Sequence, residues 1–364
     1  MKKVTVRFTN NSKKRFYQIF IDSGLIKKIT SIINVNSYSK IFVITDHNVK
    51  KLYHDKILSS LPNKVITIVL PSGEKEKNIV NIQKIWAAMH AAQCDRKSLI
   101  INLGGGVISD MGGFAASTFM RGVNFINIPT TLLSQVDASV GGKTGIDFDG
   151  IKNLIGTFNQ PQAVIADIQT LTTLPKREFL SGFAEIIKHG LIRDKKYFEK
   201  ITSKSPFEFT QDEIKDIILK SCHIKADIIK NDETENNSRR ILNFGHTIGH
   251  AIESHCLETS LPLLHGEAIS IGMLAEAEIS HYMNLLTVSD LKLIRKVLIN
   301  AELPVFASGL QTEKIIKTIN SDKKTEKGIV NFTLLSGIGN ALFNQHVPID
   351  LISKVIESIT KKSL

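Results

Sequence analysis

The first half of the chain alternates short apolar runs with segments of helical spacing. Five runs are mostly apolar at consecutive positions, as strands buried on both faces of a parallel sheet are: KIFVIT (40–45), VITIVL (65–70), SLIINL (98–103), FINI (125–128) and AVIA (163–166). Between the second and third runs, residues 78–93 carry apolar side chains three and four positions apart, which predicts a helix packed on that sheet. The repeated β-α order predicts an α/β domain with a Rossmann-like, doubly wound parallel sheet.

Helical patterns dominate the second half of the chain. They cover residues 181–192, 212–230, 241–256, 266–283, 288–300 and 348–361. Only GIVNFTLL (328–335) interrupts them, and its β-branched residues predict a hairpin or an edge strand. We therefore expect an α/β domain over residues 1–178 and a mostly α-helical domain over residues 179–364.

Length and composition agree with two folded domains. A chain of 364 residues exceeds what one hydrophobic core usually organises. The chain has 42% apolar and 22% charged residues, and this composition argues against a mainly disordered, collagenous or coiled-coil protein.

Targeting signals and cysteine usage bear on the compartment. No apolar segment follows the basic residues near the N-terminus, and no run of about eighteen apolar residues occurs. The three cysteines, Cys94, Cys222 and Cys256, lie far apart without a CxxC pair, which favours a reducing compartment. We expect a cytoplasmic protein that is neither secreted nor membrane-bound.

The net charge favours an anionic partner. Lysine and arginine total 46 against 35 acidic residues, so the formal charge is +11. Nucleic acid, an acidic membrane surface and phosphorylated small molecules all fit such a charge. The basic residues are scattered, without a polybasic arm or an arginine-rich stripe, which argues against nucleic acid.

A glycine-rich turn follows the third predicted strand. Gly104, Gly105 and Gly106 lead into a segment able to continue as a helix. Glycines let the backbone approach a diphosphate, and the N–H groups at a helix start attract negative charge. The spacing is neither that of GxGxxG nor that of a Walker motif, so a turn without a ligand is the alternative interpretation.

Three neighbouring loops support the dinucleotide interpretation. Residues 71–74, Thr130-Thr131 and residues 140–145 are polar or glycine-rich segments. We expect all three at the carboxyl ends of strands, which converge on the ligand crevice in open α/β sheets. Together they predict one dinucleotide site.

A pair of histidines indicates a metal site. His246 and His250 are four residues apart on one helical face. Two imidazoles and one carboxylate are the ligand set of many catalytic zinc sites, although such a pair also occurs in helices without a metal. The pair lacks the glutamate of HExxH, which argues against a zinc peptidase. The further ligand stays open among Glu185, Glu253, His265 and Glu267.

Basic side chains accompany these candidate ligands. Glu185 and Lys188 are three residues apart in an otherwise apolar helix, where both charges need partners. Other cations of the region are Lys143, Lys152, Lys225, Arg239 and Arg240. A metal, a dinucleotide and several cations indicate redox chemistry on a phosphorylated, carboxylated polyol.

The ordered motifs resemble those of the 3-dehydroquinate synthase family of sugar phosphate cyclases. They span most of the chain: GGGVISDMGGFAASTFMRGVNFINIPTTLLSQVDASVGGKTG (104–145), KNLIGTFNQP (152–161), GFAEIIKHG (182–190), KADIIKNDE (225–233), LNFGHTIGHAIE (242–253), LLHGEAISIGM (263–273) and DKKTEKG (322–328). The resemblance implies an NAD-binding α/β domain, a helical domain, one divalent metal (zinc or cobalt) and a homodimer.

The resemblance also assigns residues to the site. Glu185, His246 and His265 would hold the metal, which leaves His250 for substrate or proton chemistry. NAD+ would contact Asp46, Ser72, Gly73, Glu74, Lys77, Gly106, Val107, Ile108, Ser109, Asp110, Thr130, Thr131, Lys143, Lys152, Thr170, Leu171, Thr172 and Thr173. Catalysis and substrate binding would use Arg121, Asp137, Lys143, Asn153, Lys188, Lys225, Arg239, Asn243, His250 and one of Lys323 and Lys324.

The family reaction belongs to the shikimate pathway. In similar enzymes 3-deoxy-D-arabino-heptulosonate 7-phosphate is oxidised at C5 by NAD+, loses phosphate, is reduced again and closes by an intramolecular aldol addition to 3-dehydroquinate. Ser109 departs from the family, because glycine is common at its position. The alternatives are a related cyclase, which Lys225 and Arg239 disfavour because they suit a carboxylate, and a metal- and NAD-dependent polyol dehydrogenase, whose neutral substrate needs no cations.

Overall fold

In a computed structural model, two compact units make up the chain. Residues 1–8, 15–62, 65–256, 262–307, 310–321, 325–326 and 329–360 are described. The first unit comprises Met1–Pro175 and Gln211–Glu233, and the second comprises Lys176–Thr210 and Thr234–Leu364.

The strands of the described residues belong to three sheets. In chain order they are β1 (Lys2–Phe8), β2 (Arg15–Asp22), β3 (Ile41–Asp46), β4 (Val65–Leu70), β5 (Leu99–Gly104), β6 (Asn124–Pro129), β7 (Lys143–Phe148), β8 (Ile151–Phe158), β9 (Ala163–Asp167), β10 (Thr325–Glu326), β11 (Ile329–Leu335) and β12 (Ala341–His346).

The helices of the described residues divide between the two units. In chain order they are α1 (Ile29–Ile32), α2 (His47–Leu58), α3 (Ile79–Ala91), α4 (Gly106–Thr118), α5 (Lys176–Arg193), α6 (Lys195–Ile201), α7 (Gln211–Ile229), α8 (His246–Cys256), α9 (His265–Tyr282), α10 (Val288–Asn300), α11 (Thr312–Ser321) and α12 (Ile349–Thr360).

The first unit is built on a seven-stranded sheet of order β1-β2-β9-β6-β5-β3-β4. Neighbouring strands run parallel except β1, which pairs antiparallel with β2. Strands β3, β5 and β9 are buried along their whole length, so helices cover both faces of the sheet and the strands read as apolar runs. The predicted α/β fold with a parallel sheet is confirmed.

Helix α7 belongs to the first unit, whereas the division at residue 178 had placed it in the second. It packs along β1 and β2, and Ile214, Ile217 and Ile218 are buried. The Cys222 thiol donates a hydrogen bond to the carbonyl of Gln135 at 3.4 Å. An amphipathic pattern identifies the buried face of a helix without identifying the sheet that covers it, so the pattern assigned α7 to its sequence neighbours.

The sequence predicts a turn over the glycine-rich segment 140–145, at the carboxyl end of a strand of the parallel sheet. The structure contradicts this prediction. Lys143 begins β7, which pairs antiparallel with β8 in a two-stranded hairpin. Gly145 faces Gly156 across this pair, and a Cβ on Gly156 would lie 2.2 Å from the carbonyl oxygen of Thr144. These glycines therefore serve the close approach of two strands.

The second unit is mostly helical, as predicted, but contains a three-stranded sheet, β10-β11-β12, where one strand or hairpin was expected. The helix predicted over residues 241–256 is also interrupted. Residues Ser238–Asn243 form a 3₁₀ turn, Gly245 has a φ of +80°, and α8 begins at His246. A side chain at Gly245 would be strained by that φ and would meet Met273, so only glycine fits at the break.

Helices α8 and α9 pack closely in the second unit. A Cβ on Gly272 would lie 2.0 Å from the carbonyl oxygen of Gly245, and one on Gly249 would lie 2.9 Å from Ile269. Glycines thus allow the two helix backbones to touch. Within the part of the chain that the structure describes, no helix is long and apolar enough to cross a membrane.

Candidate functional site

Three imidazoles of the second unit lie close together. His246 is the first residue of α8, His250 follows one turn later, and His265 begins α9. One ring nitrogen from each histidine lies within 4.8 Å of the others. The i, i+4 spacing therefore indicates a real cluster, and the close packing of α8 and α9 adds the third ring.

Glu185 of α5 points a carboxylate at two of these rings. Its Oε1 lies 3.7 Å from Nε2 of His246 and 3.6 Å from Nε2 of His265. Ligand atoms about 2.1 Å from a tetrahedral zinc ion lie about 3.4 Å from one another. The observed spacing and the mixed nitrogen and oxygen donors therefore fit a divalent metal, and these are the three ligands that the resemblance implies.

Glu185 and His265 each have a further charged neighbour. The Glu185 carboxylate is fully buried and forms an ion pair with Lys188, which is 1% exposed. On the other side of His265, its Nδ1 lies 3.2 Å from Oε2 of Glu253. Burial opposes a charged imidazole, but the carboxylates of Glu253 and Glu185 outweigh it and raise the pKa of His265 to about 10.

The other two eligible carboxylates are occupied elsewhere. Glu267 receives two hydrogen bonds from the guanidinium of Arg177, each 2.6 Å long, and one from the backbone N–H of Leu264 at 2.7 Å. Glu267 thus caps the first turn of α9. Glu253 contacts His265 at Nδ1, away from Nε2.

Two of the predicted substrate residues, Arg239 and Asn243, lie just before α8. Arg239 is 2% exposed, and Asn243 donates a hydrogen bond to Oε1 of Glu235 at 2.7 Å. Both lie in the 3₁₀ turn that leads to His246. Glu235 is not identified from the sequence as part of this region. Its position in the sequence does not distinguish it from an acidic residue exposed to solvent.

Sequence reasoning also missed Glu276, a fully buried residue of α9. Its carboxylate accepts the backbone N–H of Gly245 at 2.6 Å and that of Ile248 at 3.2 Å. These N–H groups lie at the start of α8, where a helix leaves donors without intrahelical partners. Glu276 thus caps, from a neighbouring helix, the helix that carries His246 and His250.

We expect Glu276→Gln to lower the free energy of unfolding by about 2 kcal/mol, because the amide leaves one buried N–H without an acceptor. Urea denaturation of the metal-free protein measures this change. Glu278→Gln on the same helix is the control, because Glu278 pairs with Arg295 and does not cap α8. An equal effect of the two substitutions would contradict the capping role.

The segments predicted to bind a dinucleotide lie at one edge of the sheet in the first unit. Asp46 ends β3, residues 71–74 follow β4, residues 104–106 join β5 to α4, Thr130-Thr131 follow β6, and residues 168–173 follow β9. These strands are neighbours in the order β9-β6-β5-β3-β4. Their carboxyl ends therefore converge, with the start of α4 at the centre.

A polar network joins this edge to the β7-β8 hairpin. Lys77 donates hydrogen bonds to Oδ2 of Asp110 and to Oδ1 of Asn153, both at 2.5 Å. Lys152 pairs with Glu74 at 3.2 Å. Burial disfavours the ammonium of Lys77, but the carboxylates of Asp110 and Glu74 outweigh it and raise the Lys77 pKa. The lysine therefore stays charged and holds the hairpin beside α4.

Ser109 links α4 to the next turn of the site. Its hydroxyl lies 3.1 Å from that of Ser139 and 3.3 Å from that of Ser134, and these two hydroxyls lie 2.8 Å apart. Ser109 lies inside the helix, so its backbone does not need glycine. The departure from the family pattern thus adds a hydroxyl cluster that ties α4 to the π-helical turn Ser134–Ala138.

Asp137 and Lys225 form an ion pair within the first unit. Lys225 Nζ donates to Oδ1 of Asp137 at 2.5 Å and to its backbone carbonyl at 2.8 Å. Lys225 is 5% exposed and the Asp137 side chain is 23% exposed, so the ammonium is largely desolvated and the carboxylate is partly accessible to water. The two residues predicted to act on the substrate are therefore brought together.

Arg121 is not brought to the glycine turn. It follows the C-terminus of α4, whose 13 residues span about 20 Å, and it precedes β6 at the opposite edge of the sheet. Lys143 is exposed at the start of β7. Lys323 and Lys324 lie outside the described residues.

An α/β unit with a glycine turn and a helical unit with clustered imidazoles are the fold of the sugar phosphate cyclases, whose solved structures match this chain with high TM-scores. The structure of 2-deoxy-scyllo-inosose synthase complexed with carbaglucose-6-phosphate, NAD+ and Co2+ superposes with a TM-score of 0.88, at 25% identity, over 98% of this chain and all of the other. That of 2-epi-5-epi-valiolone synthase from Streptomyces hygroscopicus, with NAD+ and Zn2+ bound, has a TM-score of 0.85 at 25% identity, over 96% and 98% of the two chains.

Sequence comparison identifies the family within this class. The models of the 3-dehydroquinate synthase N-terminal and C-terminal regions match residues 67–181 and 182–325. The 3-dehydroquinate synthase of Ruminiclostridium cellulolyticum is 40% identical over 96% of this chain and 98% of its own length. The chain belongs to the 3-dehydroquinate synthase family.

Proposed function

We propose that the chain is a 3-dehydroquinate synthase, a lyase that converts 3-deoxy-D-arabino-heptulosonate 7-phosphate to 3-dehydroquinate and phosphate. It would use NAD+ and one divalent metal, Zn2+ or Co2+. The observation that carries the proposal is the convergence of Glu185, His246 and His265 in a chain of this family. The metal and NAD+ of the two structural matches support the choice of cofactors.

The metal ligands would come from three elements of the second unit. Glu185 on α5, His246 on α8 and His265 on α9 would hold the ion. A bound divalent ion would acidify a substrate hydroxyl, and NAD+ would accept the hydride from the carbon that bears this hydroxyl. His250 lies beside this ligand set, with its ring 5.0 Å from that of His246. It would hold or release a proton of the substrate next to the ion.

The buried cations would fix the anionic ends of the substrate. Lys188, Lys225 and Arg239 are nearly inaccessible to water in this structure. A desolvated ammonium or guanidinium binds phosphate or carboxylate strongly. Holding both ends of an open chain would bring its reacting carbons together for ring closure.

The carboxyl edge of the sheet would hold NAD+. The N–H groups at the start of α4 suit its diphosphate, and Gly105 and Gly106 leave the backbone accessible. We also propose that the protein is a cytoplasmic homodimer, as the family resemblance implies.

A single assay tests the proposed function. Purified protein given the heptulosonate phosphate with NAD+ should release one phosphate per substrate with no net NADH, because the cofactor is reoxidised in each turnover. Prior removal of the metal with a chelator should stop phosphate release. Phosphate and the absorbance of NADH are followed together.

Two other outcomes would redirect the assignment. Accumulation of NADH without phosphate release would favour a polyol dehydrogenase. Turnover of another sugar phosphate, such as glucose 6-phosphate, with none of the carboxylated substrate would favour a related cyclase.

A further inference from the structure

Glu253 lies on the far side of a predicted metal ligand. It occupies the last part of α8, is 3% exposed, and contacts the first residue of α9. Its Oε2 lies 3.2 Å from Nδ1 of His265, while Nε2 of the same ring lies 3.6 Å from Oε1 of Glu185. The ring is thus held between two carboxylates that face opposite nitrogens.

This geometry separates the roles of the two carboxylates. The lone pairs of the two nitrogens of an imidazole point in diverging directions. A carboxylate that contacts Nδ1 therefore lies away from an ion that is bound at Nε2. Glu185 is on the Nε2 side together with His246. Glu253 is therefore placed to accept a hydrogen bond from Nδ1–H and not to ligate the ion.

We propose that Glu253 is a positioning residue that orients His265 toward the metal. By accepting the Nδ1–H, it selects the tautomer whose Nε2 lone pair is available, and it fixes the rotation of the ring. The proposal deepens the proposed function and rests on its metal site.

The second imidazole ligand has a different partner. Nδ1 of His246 lies 3.1 Å from the backbone carbonyl of Phe244, which no substitution of a side chain can remove directly. A carboxylate accepts a stronger hydrogen bond than a carbonyl and makes the ligand more basic. His265 is therefore the ligand whose outer partner can be tested by substitution.

The rate of metal dissociation tests the proposal more directly than the affinity. Protonation of the empty site alters how readily a metal enters it, whereas replacing the carboxylate that accepts from His265 with a neutral amide weakens a hydrogen bond of the loaded state. We expect Glu253→Gln to accelerate release of Co2+ to excess chelator by about 10–100-fold, the range in which such outer partners usually act. The visible absorption of bound Co2+ should shift as well, because a ring with a neutral partner is less basic and less firmly oriented.

Glu278→Gln is the matched control, since Glu278 is a largely buried acid that pairs with Arg295 and Ser358 instead of a histidine. Its Co2+ release rate should match that of the unchanged protein. If Glu253→Gln does not yield folded protein, Glu253→Asp is the second test of the positioning role. Aspartate keeps the negative charge, but its side chain is one methylene shorter, so the carboxylate lies farther from Nδ1 of His265. A positioning role then predicts faster release, whereas a purely structural role predicts lower stability with an unchanged rate.

The outcomes separate this proposal from the proposed function. Unchanged Co2+ release and absorption in the Glu253 variants would overturn the positioning role while leaving the assay of phosphate release untouched. Absence of Co2+ binding by the unchanged protein would overturn both the positioning role and the metal dependence of the proposed function.

Discussion

His265→Ala is expected to remove measurable bound metal and to lower turnover by about a thousandfold or more, since metal stabilisation of developing charge contributes several kcal/mol. The substitution deletes one of the two imidazoles that face Glu185. NAD+ binding should persist, because the residues predicted to contact the cofactor lie in the first unit. Metal content after gel filtration and the rate of phosphate release are the two measurements.

His250→Ala is the control for this substitution. His250 lies in the same cluster, and geometry alone admits it as a ligand, because one nitrogen of each of the three rings lies within 4.8 Å of the others. The proposed roles predict that this variant keeps its metal and loses turnover. If His250→Ala lost its metal while His265→Ala kept it, His250 would be the metal ligand and His265 would be the residue that acts on the substrate.

The strands at the centre of the first unit could be predicted because they are buried on both faces. Such strands read as apolar runs, as in residues 98–103 for β5. The β1-β2 hairpin was missed because β1, KKVTVRF, alternates polar and apolar residues and carries charges at an edge of the sheet. The β7-β8 hairpin was misread because glycines that let two strands approach resemble glycines that admit a phosphate.

The site shows a similar division between local and long-range information. The spacing of His246 and His250 predicts their shared helical face, because a helix of known pitch relates them. Spacing cannot predict that Glu185, 61 residues before His246, faces the same point. Nor could it distinguish Glu253 on the Nδ1 side of His265 from a ligand on the Nε2 side, because that distinction depends on how α8 packs against α9.

The apparent metal affinity is expected to rise about tenfold for each pH unit between about pH 7 and pH 9. The carboxylates of Glu253 and Glu185 outweigh burial and raise the pKa of His265 from 6.5 to about 10, so the metal-free protein keeps a proton on this ring. A metal binds the neutral ring and must displace that proton. Titration of the metal-free protein with Zn2+ in competition with a chelator, at several pH values, measures the slope.

The same shift fixes how the stability of the metal-free protein depends on pH. A pKa raised in the folded state means that the proton favours folding, fully below pH 6.5 and progressively less as the pH rises toward 10. Metal-free protein should therefore lose stability over this interval while its metal affinity increases. Glu253→Gln should flatten both trends, because removing one carboxylate lowers the pKa of His265. An affinity independent of pH would mean that the ring is already neutral when the metal arrives.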